Sequence, residues 1–515
     1  MLLEPGSRCW RVHTAPRAAI LIDGQAYFDA AKAAMAAARR SIHFLNWAFE
    51  PETRLSPKPG GAVAGEEDIA GFLKRLAGER LDLDIRLLCW RSALPVAATQ
   101  KFFPIADRER FAGSRVRFVL DGKLPLGACH HQKIIVIDDT LAFCGGADIG
   151  QDRWDTSPHL DEDPRRETTR RGKRFFPSRH EVMALVEGPP AEALGELFRQ
   201  RWRRCTGEDL QPSPGSATWP TGVPVMFTQA RVGLSRTAPG WRDDPPVREA
   251  EALHLASIAA AKRCIYMENQ YFTSELMGNA LARRLGEAAG PEVVLISGGR
   301  SASYFDQMTM DPTRSRFIER LQRADRYGRF RIYGPVTTLG RDLIVHAKLT
   351  IIDDTVVRIG SANLDNRSFG LDTECDLSLE ADGATERDTR ATITRLRTTL
   401  IAHWLGCAAK QVEAAVEREV TVGAAIEALR HGGHCRLRPI PPTRLNPVTA
   451  LIARLHIGDP MGPRDSFRPW SRRRALQALI KAYATESPPP GGDGQTPFAI
   501  TDRAVSRPPS RRRLD

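Results

Sequence analysis

The stretch "LIVHAKLTIIDD", residues 343–354, sets a histidine and a lysine into an otherwise apolar run. The run reads as a buried β-strand, where His346 or Lys348 alone would be costly to desolvate. A spacing of two directs both side chains to one face of a strand. That face needs something to meet two cationic or proton-carrying groups.

The chain repeats the pattern. Residues 130–139 read "HHQKIIVIDD" against "VHAKLTIIDD" at 345–354. His131, Lys133 and Asp138 match His346, Lys348 and Asp353 at a constant offset of 215 (346 minus 131, 348 minus 133, 353 minus 138). Gly145 and Gly360 follow at equal distance, in "CGGAD" (144–148) and "IGSAN" (359–363), and predict a glycine turn after each copy. Further out, "AAMAAARRSIHFLNWAF" (33–49) and "LASIAAAKRCIYMENQYF" (255–272) both read as a small-residue helix followed by a strand. "EALGELFRQRW" (192–202) and "TITRLRTTLIAHW" (392–404) both read as helices ending in tryptophan.

The fold class is therefore α/β: two tandem α-β-α sandwich domains, with halves at 15–235 and 236–430. Like faces pairing about a pseudo-twofold axis would bring both His-Lys pairs into one cleft at the interface. Residues 431–484 read as a helical extension, with 469–484 a basic helix suited to a protein surface or a membrane surface. Residues 485–515 read as a disordered basic tail. "DLQPSPGSATWPTGVP" (209–224) reads as a connecting loop. The charged insertion 157–180 reads as a solvated loop, with a rim over the site as the alternative. The segment 303–317 reads either as a core helix or as a lipid-facing rim.

Two histidines across a cleft can divide a displacement, one attacking while the other protonates the leaving group. Two lysines beside them would repel unless an anion sat between, and a phosphoryl group fits that place. With lysines carrying the charge, neither a metal nor a cofactor is expected; no zinc-ligand spacing or Gly-rich phosphate loop is seen. A nucleophilic histidine needs its far nitrogen held by a carboxylate or carbonyl. Glu181 in "RHEVMALVEGPP" and Glu374 in "GLDTECDLSL" are the candidates, with a plain surface carboxylate as the alternative for each. Asp138 and Asp353, at the strand ends, are better placed to tie down a turn than to do chemistry.

The whole chain sets the partners. Its 515 residues carry a formal net charge of +12, which favours anionic partners such as phosphate groups, nucleic acid or an acidic membrane surface. Nine scattered cysteines without a CxxC pair argue against a disulfide framework and suit a reducing compartment. Neither an ordinary signal peptide nor a run of 18 apolar residues is found. A cytoplasmic or peripheral membrane protein is expected, and export without such a signal stays open.

These residues resemble the phospholipase D superfamily, whose signature HxKxxxxD occurs twice. "CGGADIGQDRWDTSPH", "RHEVMALVEGPP" with "LFRQRW", "IYMENQYF" and "IGSANLDNRSFGLDTE" resemble further motifs of eukaryotic-type phospholipases D, in the same order. The resemblance spans about residues 15–410. It implies a phosphodiesterase working through a phosphohistidine. His131 attacks phosphorus; His346 protonates the leaving alcohol and then activates water or a second alcohol. Lys133 and Lys348 hold the phosphoryl oxygens, with Asn363, Asp148 and Ser361 in substrate-binding places. Glu181 and Glu374 fall where the family orients its histidines, although Glu181 stands where many members carry aspartate. Asp138 and Asp353 complete the signature's catalytic set. The implied partner is a phospholipid at a membrane surface, acted on by a monomer; nucleic acid is not the expected substrate. A separate N-terminal membrane-targeting module and calcium dependence are not expected. A cardiolipin-synthase-type phosphatidyltransferase and a nucleic-acid phosphodiesterase are the alternatives within the superfamily, and a non-catalytic binding protein on the same fold is the alternative outside enzymology.

Overall fold

A computed structural model describes residues 1–59, 66–92, 104–167, 175–213, 215, 217–431, 435–465 and 469–486. The tail expected at 485–515 falls almost wholly outside the described residues.

The two copies build one sheet rather than two. Among the described residues sixteen strands form one sheet, fifteen of them in a continuous path through the molecule. Its centre is the antiparallel pair Arg11–Ile22 and Phe227–Ala238, in register from Arg11 opposite Leu234 to Ala18 opposite Phe227. Moving outward, each half repeats the same order. In the first half the strands are Val182–Glu187, Leu141–Gly145, Ile134–Ile137, Ser41–Asn46, Asp84–Trp90 and Arg117–Asp121. In the second they are Glu374–Glu380, Val356–Gly360, Lys348–Ile352, Cys264–Asn269, Glu292–Ile296 and Phe330–Pro335. This mirrored order is the expected pseudo-twofold. Phe227–Ala238 is the second-half counterpart of Arg11–Ile22, so the division expected at 235/236 falls inside a strand.

Helices cover both faces. Pro189–Thr206 and Glu386–Leu405 lie on one face and bury Trp202 and Trp404 completely, in a core shared by the two halves. On the other face each half has its own core, under Asp23–Ala37 in the first and under Glu249–Ala260 and Glu275–Leu285 in the second. Sheets covered on both faces need apolar strands without alternation, as "IIVI" at 134–137 shows: all four residues are buried.

Several expectations change. Of the motif histidines and lysines only Lys348 lies on a strand. The regular strands start at Ile134 and Lys348, so His131 and His346 sit on the segments leading in. Gly145 and Gly360 close strands and have no left-handed backbone. They are required for space: a Cβ on Gly145 would meet Val182 O at 2.7 Å, and one on Gly360 would overlap Asp376. The charged insertion is not simply solvated. Among its described residues His159, Asp163 and Arg166 are buried, and Arg166 pairs with Asp155 at 3.1 Å. Segment 303–317 forms most of the helix Tyr304–Ala324, with Phe317 in the core and Tyr304 and Phe305 exposed. Helix Pro469–Glu486 buries Leu476 and packs Leu479 and Ile480 on the second-half core, the plain surface-helix reading. All nine cysteines are free thiols. No helix among the described residues is long and apolar enough to cross a membrane.

Candidate active site

The backbone crosses between the halves at the two His-Lys segments. The strand Ile344–Val345 pairs in parallel with Arg179–His180 of the first half, and His346 N donates to His180 O at 2.9 Å. Symmetrically, His131 N donates to Thr373 O at 3.0 Å, and Thr373 N donates to Cys129 O at 3.0 Å. Each histidine is thereby carried beside the glutamate of the opposite half. His131 Nδ1 lies 3.0 Å from both carboxylate oxygens of Glu374. His346 Nδ1 lies 2.9 and 3.0 Å from those of Glu181. Both glutamates are fully buried, so neither is the surface carboxylate of the alternative reading. A carboxylate on Nδ1 holds the proton there and leaves Nε2 as the free lone pair.

Both lysines curl back: Lys133 Nζ donates to His131 O and Lys348 Nζ to His346 O, each at 2.7 Å. Lys133 Nζ also lies 3.5 Å from Asp148 Oδ2, and Lys348 Nζ donates to Gln270 Oε1 at 3.2 Å. His131, Lys133, Asp148, His346 and Asn363 line one cleft of about 530 Å³, with Trp47, Arg153, Arg179, Gln270, Tyr271 and Asp306. The cleft therefore draws on both repeats.

Three expected site residues fall elsewhere. Asp138 accepts from the backbone N–H groups of Arg39, Arg40 and Ser41 at 2.9, 2.7 and 2.8 Å. Asp353 does the same for Lys262, Arg263 and Cys264 at 2.9, 2.7 and 2.8 Å. Both adopt φ of +53°, a left-handed turn that aspartate tolerates. They tie the helix-to-strand corner of each half and touch no reacting group. Ser361 is also not a substrate contact. Its Oγ donates to Glu374 Oε2 at 2.5 Å and receives Cys375 N at 3.0 Å, so it positions that carboxylate.

Gln270, Arg153 and Arg179 were not legible as site residues. Gln270 lay inside the "IYMENQYF" motif, two residues beyond Glu268. The arginines lay among many charges, with nothing in the spacing to single them out.

The two histidines are alike in geometry and unlike in charge. Burial pushes both well below the usual histidine range, and both lysines add to this at His131. At His346, Lys348, Arg179 and Arg153 add to it. Burial lifts Glu374 to about 8, against Lys133 and Ser361, and lifts Glu181 against Arg179 and Lys348. Burial likewise pushes Lys348 down to about 7, with Glu181 opposing and Lys133 reinforcing.

Residues 255–393 match the family model described as "Cardiolipin synthase, PLD-like domain". The chain is similar to the phospholipase D superfamily. Among curated members of this superfamily it is 26% identical to cardiolipin synthase 1 of Bacillus cereus, over 48% of this chain and 42% of that one. It is 28% identical to phospholipase D alpha 1 of Oryza sativa, over 46% of this chain and 38% of that one. The match thus spans about two fifths of the length of these relatives. The crystal structure of phosphatidylserine synthase from Haemophilus influenzae has a similar fold, with a TM-score of 0.51 at 14% identity, covering 80% of this chain and 94% of that one.

Proposed function

We propose that the protein is a phosphodiesterase that cleaves the headgroup ester of glycerophospholipids through a phosphohistidine and passes the phosphatidyl group to water or an alcohol. One observation carries this reading: two histidines, each held on Nδ1 by the glutamate of the other half, share a cleft with Lys133, and Lys348 reaches Gln270 of the same cleft wall. A bound phosphodiester would set its anionic oxygens against these lysines. His131 Nε2 attacks phosphorus, and His346 delivers a proton to the departing oxygen. Phosphate between the lysines raises the proton affinity of His346 at the moment it must act as an acid. Arg153 and Arg179 add positive charge on that side, where the alkoxide develops. His346 then takes a proton from water or alcohol as the phosphohistidine is resolved. Tyr304, Phe305 and Met308 are exposed beside Ser303 and Asp306 of the cleft wall and suit contact with a lipid surface.

A second reading, transfer to a glycerol headgroup to make cardiolipin, is favoured by the family model matched over 255–393. The purified protein is to be incubated with vesicles of phosphatidylcholine, phosphatidylethanolamine or phosphatidylglycerol, with and without ethanol, and with single-stranded DNA. Headgroup release together with phosphatidylethanol is the expected result. Cardiolipin from phosphatidylglycerol supports the second reading. Cleaved DNA with inert lipid would overturn both.

The site charge also sets a pH dependence. Lys348 binds phosphate only when protonated, and in the free protein that form is lost as pH rises through about 7. kcat/KM, which reports free enzyme, is expected to fall on the alkaline side with a midpoint near 7. The limb in kcat lies higher, because bound phosphate holds the proton on. Lys348→Arg, which cannot titrate in this range, is expected to remove the limb from whatever activity remains. An unchanged limb in that variant would assign it to another group.

A further inference from the structure

Behind the cleft lies a second cluster that the proposed chemistry does not use. Asp23, His159, His180 and His403 present ligand atoms that all lie within 4.8 Å of one another. They come from four separate places: the start of helix Asp23–Ala37, the charged insertion, the short strand Arg179–His180, and helix Glu386–Leu405 of the second half. Such ligands have no sequence spacing to reveal them. Asp23, His159 and His180 are buried, and His403 is half-buried.

The surroundings orient the rings. His159 Nδ1 faces Asp155 Oδ2 at 2.9 Å, and His180 Nε2 faces Glu268 Oε2 at 2.8 Å. Each ring can donate an N–H outward to a carboxylate and turn its other nitrogen inward; against burial, Asp23 and Glu268 push His180 up to about 10, so its inner nitrogen carries a proton that a metal ion would displace. This is the outer arrangement of metal-ligating histidines. Inward, His159 Nε2 lies 3.2 Å from His403 Nε2 and 3.6 Å from Asp23 Oδ1. The edge of a tetrahedron around zinc with nitrogen ligands is about 3.3 Å. His180 Nδ1 lies closer, 2.7 Å from Asp23 Oδ1. A lone pair and a carboxylate oxygen at that distance need a proton or a metal ion between them.

We propose that Asp23, His159, His180 and His403 form a zinc site with three imidazoles and one carboxylate. Binding requires the Asp23–His180 contact to open by about half an ångström and the remaining ligand atoms, all within 4.8 Å of one another, to settle at that edge length. Four protein ligands leave no open coordination position, so the site is structural. It joins the two halves, and it reaches the catalytic carboxylate through the backbone, since Asp23 N donates to Glu181 O at 2.8 Å. The histidine–lysine cleft itself needs no metal in the reaction above.

The test uses the full chain, stripped with a chelator and reloaded with zinc or cobalt(II). About one zinc per chain is expected by elemental analysis. Cobalt is expected to give a four-coordinate visible spectrum without a thiolate charge-transfer band, which separates this site from the nine free cysteines. His403→Ala, at a half-buried helix end, is expected to lower affinity at least about 100-fold, and zinc is expected to raise the melting temperature of the wild type but not of this variant. Asp23→Asn is the second variant, with circular dichroism to establish folding. If the wild type takes up no zinc, or if both folded variants bind it as the wild type does, the assignment fails. A proton shared by His180, Asp23 and Glu268 would then account for the cluster.

Discussion

His131→Ala and His346→Ala are each expected to lower turnover of a phospholipid substrate by about 1,000-fold or more, with the double variant little worse than either. The reason is the single cleft: neither repeat holds a complete set of groups. The same geometry separates the two roles. With a p-nitrophenyl headgroup, the leaving oxygen needs no proton. His346→Ala should then form the phosphohistidine on His131 and stall, giving a burst of p-nitrophenol and a mass increase on the peptide containing His131. His131→Ala should give neither. A mass increase on His346 would reverse the two roles, which the near-symmetry of the site makes a real alternative. Near-normal activity in either variant would mean that the cleft is not the reaction site. The crossed pairs add a further expectation: Glu374→Gln should impair the step that uses His131, and Glu181→Gln the step that uses His346.

Asp138→Ala and Asp353→Ala are expected to destabilise the protein by about 3–5 kcal/mol each, because each leaves three backbone N–H groups without their carboxylate. The effect should be similar in the two variants, since the three distances at Asp138 recur at Asp353. Asparagine keeps one acceptor oxygen and should cost less. The check is a thermal melt alongside activity per folded molecule. Asp138→Asn should melt earlier yet keep its turnover within a few-fold. A 1,000-fold loss of turnover at an unchanged melting temperature would return the aspartate to the chemistry, where the signature alone would place it.

Legibility differed from residue to residue. The duplication was plain, because HxKxxxxD recurs at one fixed offset within similar apolar surroundings, and buried strands keep that pattern whatever else changes. The helix-and-strand order around each motif followed from the same comparison. Glu181 and Glu374 could be named as candidates, since a histidine base requires a carboxylate. Their exchange between halves could not be read. It depends on the pairing of 344–345 with 179–180, and of 131 with 373, which are contacts between segments more than 150 residues apart. Ser361 was misread because a serine in a motif looks the same whether it faces substrate or a buried carboxylate. Gly145 and Gly360 were misread because spacing cannot distinguish a turn from a tight strand contact.

The sequence by itself determined the α/β class, the duplication, the four motif histidines and lysines, and the expectation of an anion between them. These are local or repeated features, carried by residue type and spacing. Only the tertiary structure decided that one continuous sheet joins the halves, that each histidine leans on the other half's glutamate, and that the aspartates hold corners. Only it brought Asp23, His159, His180 and His403 together. Each of these depends on which distant segments meet when the cores close, and no spacing along the chain records that.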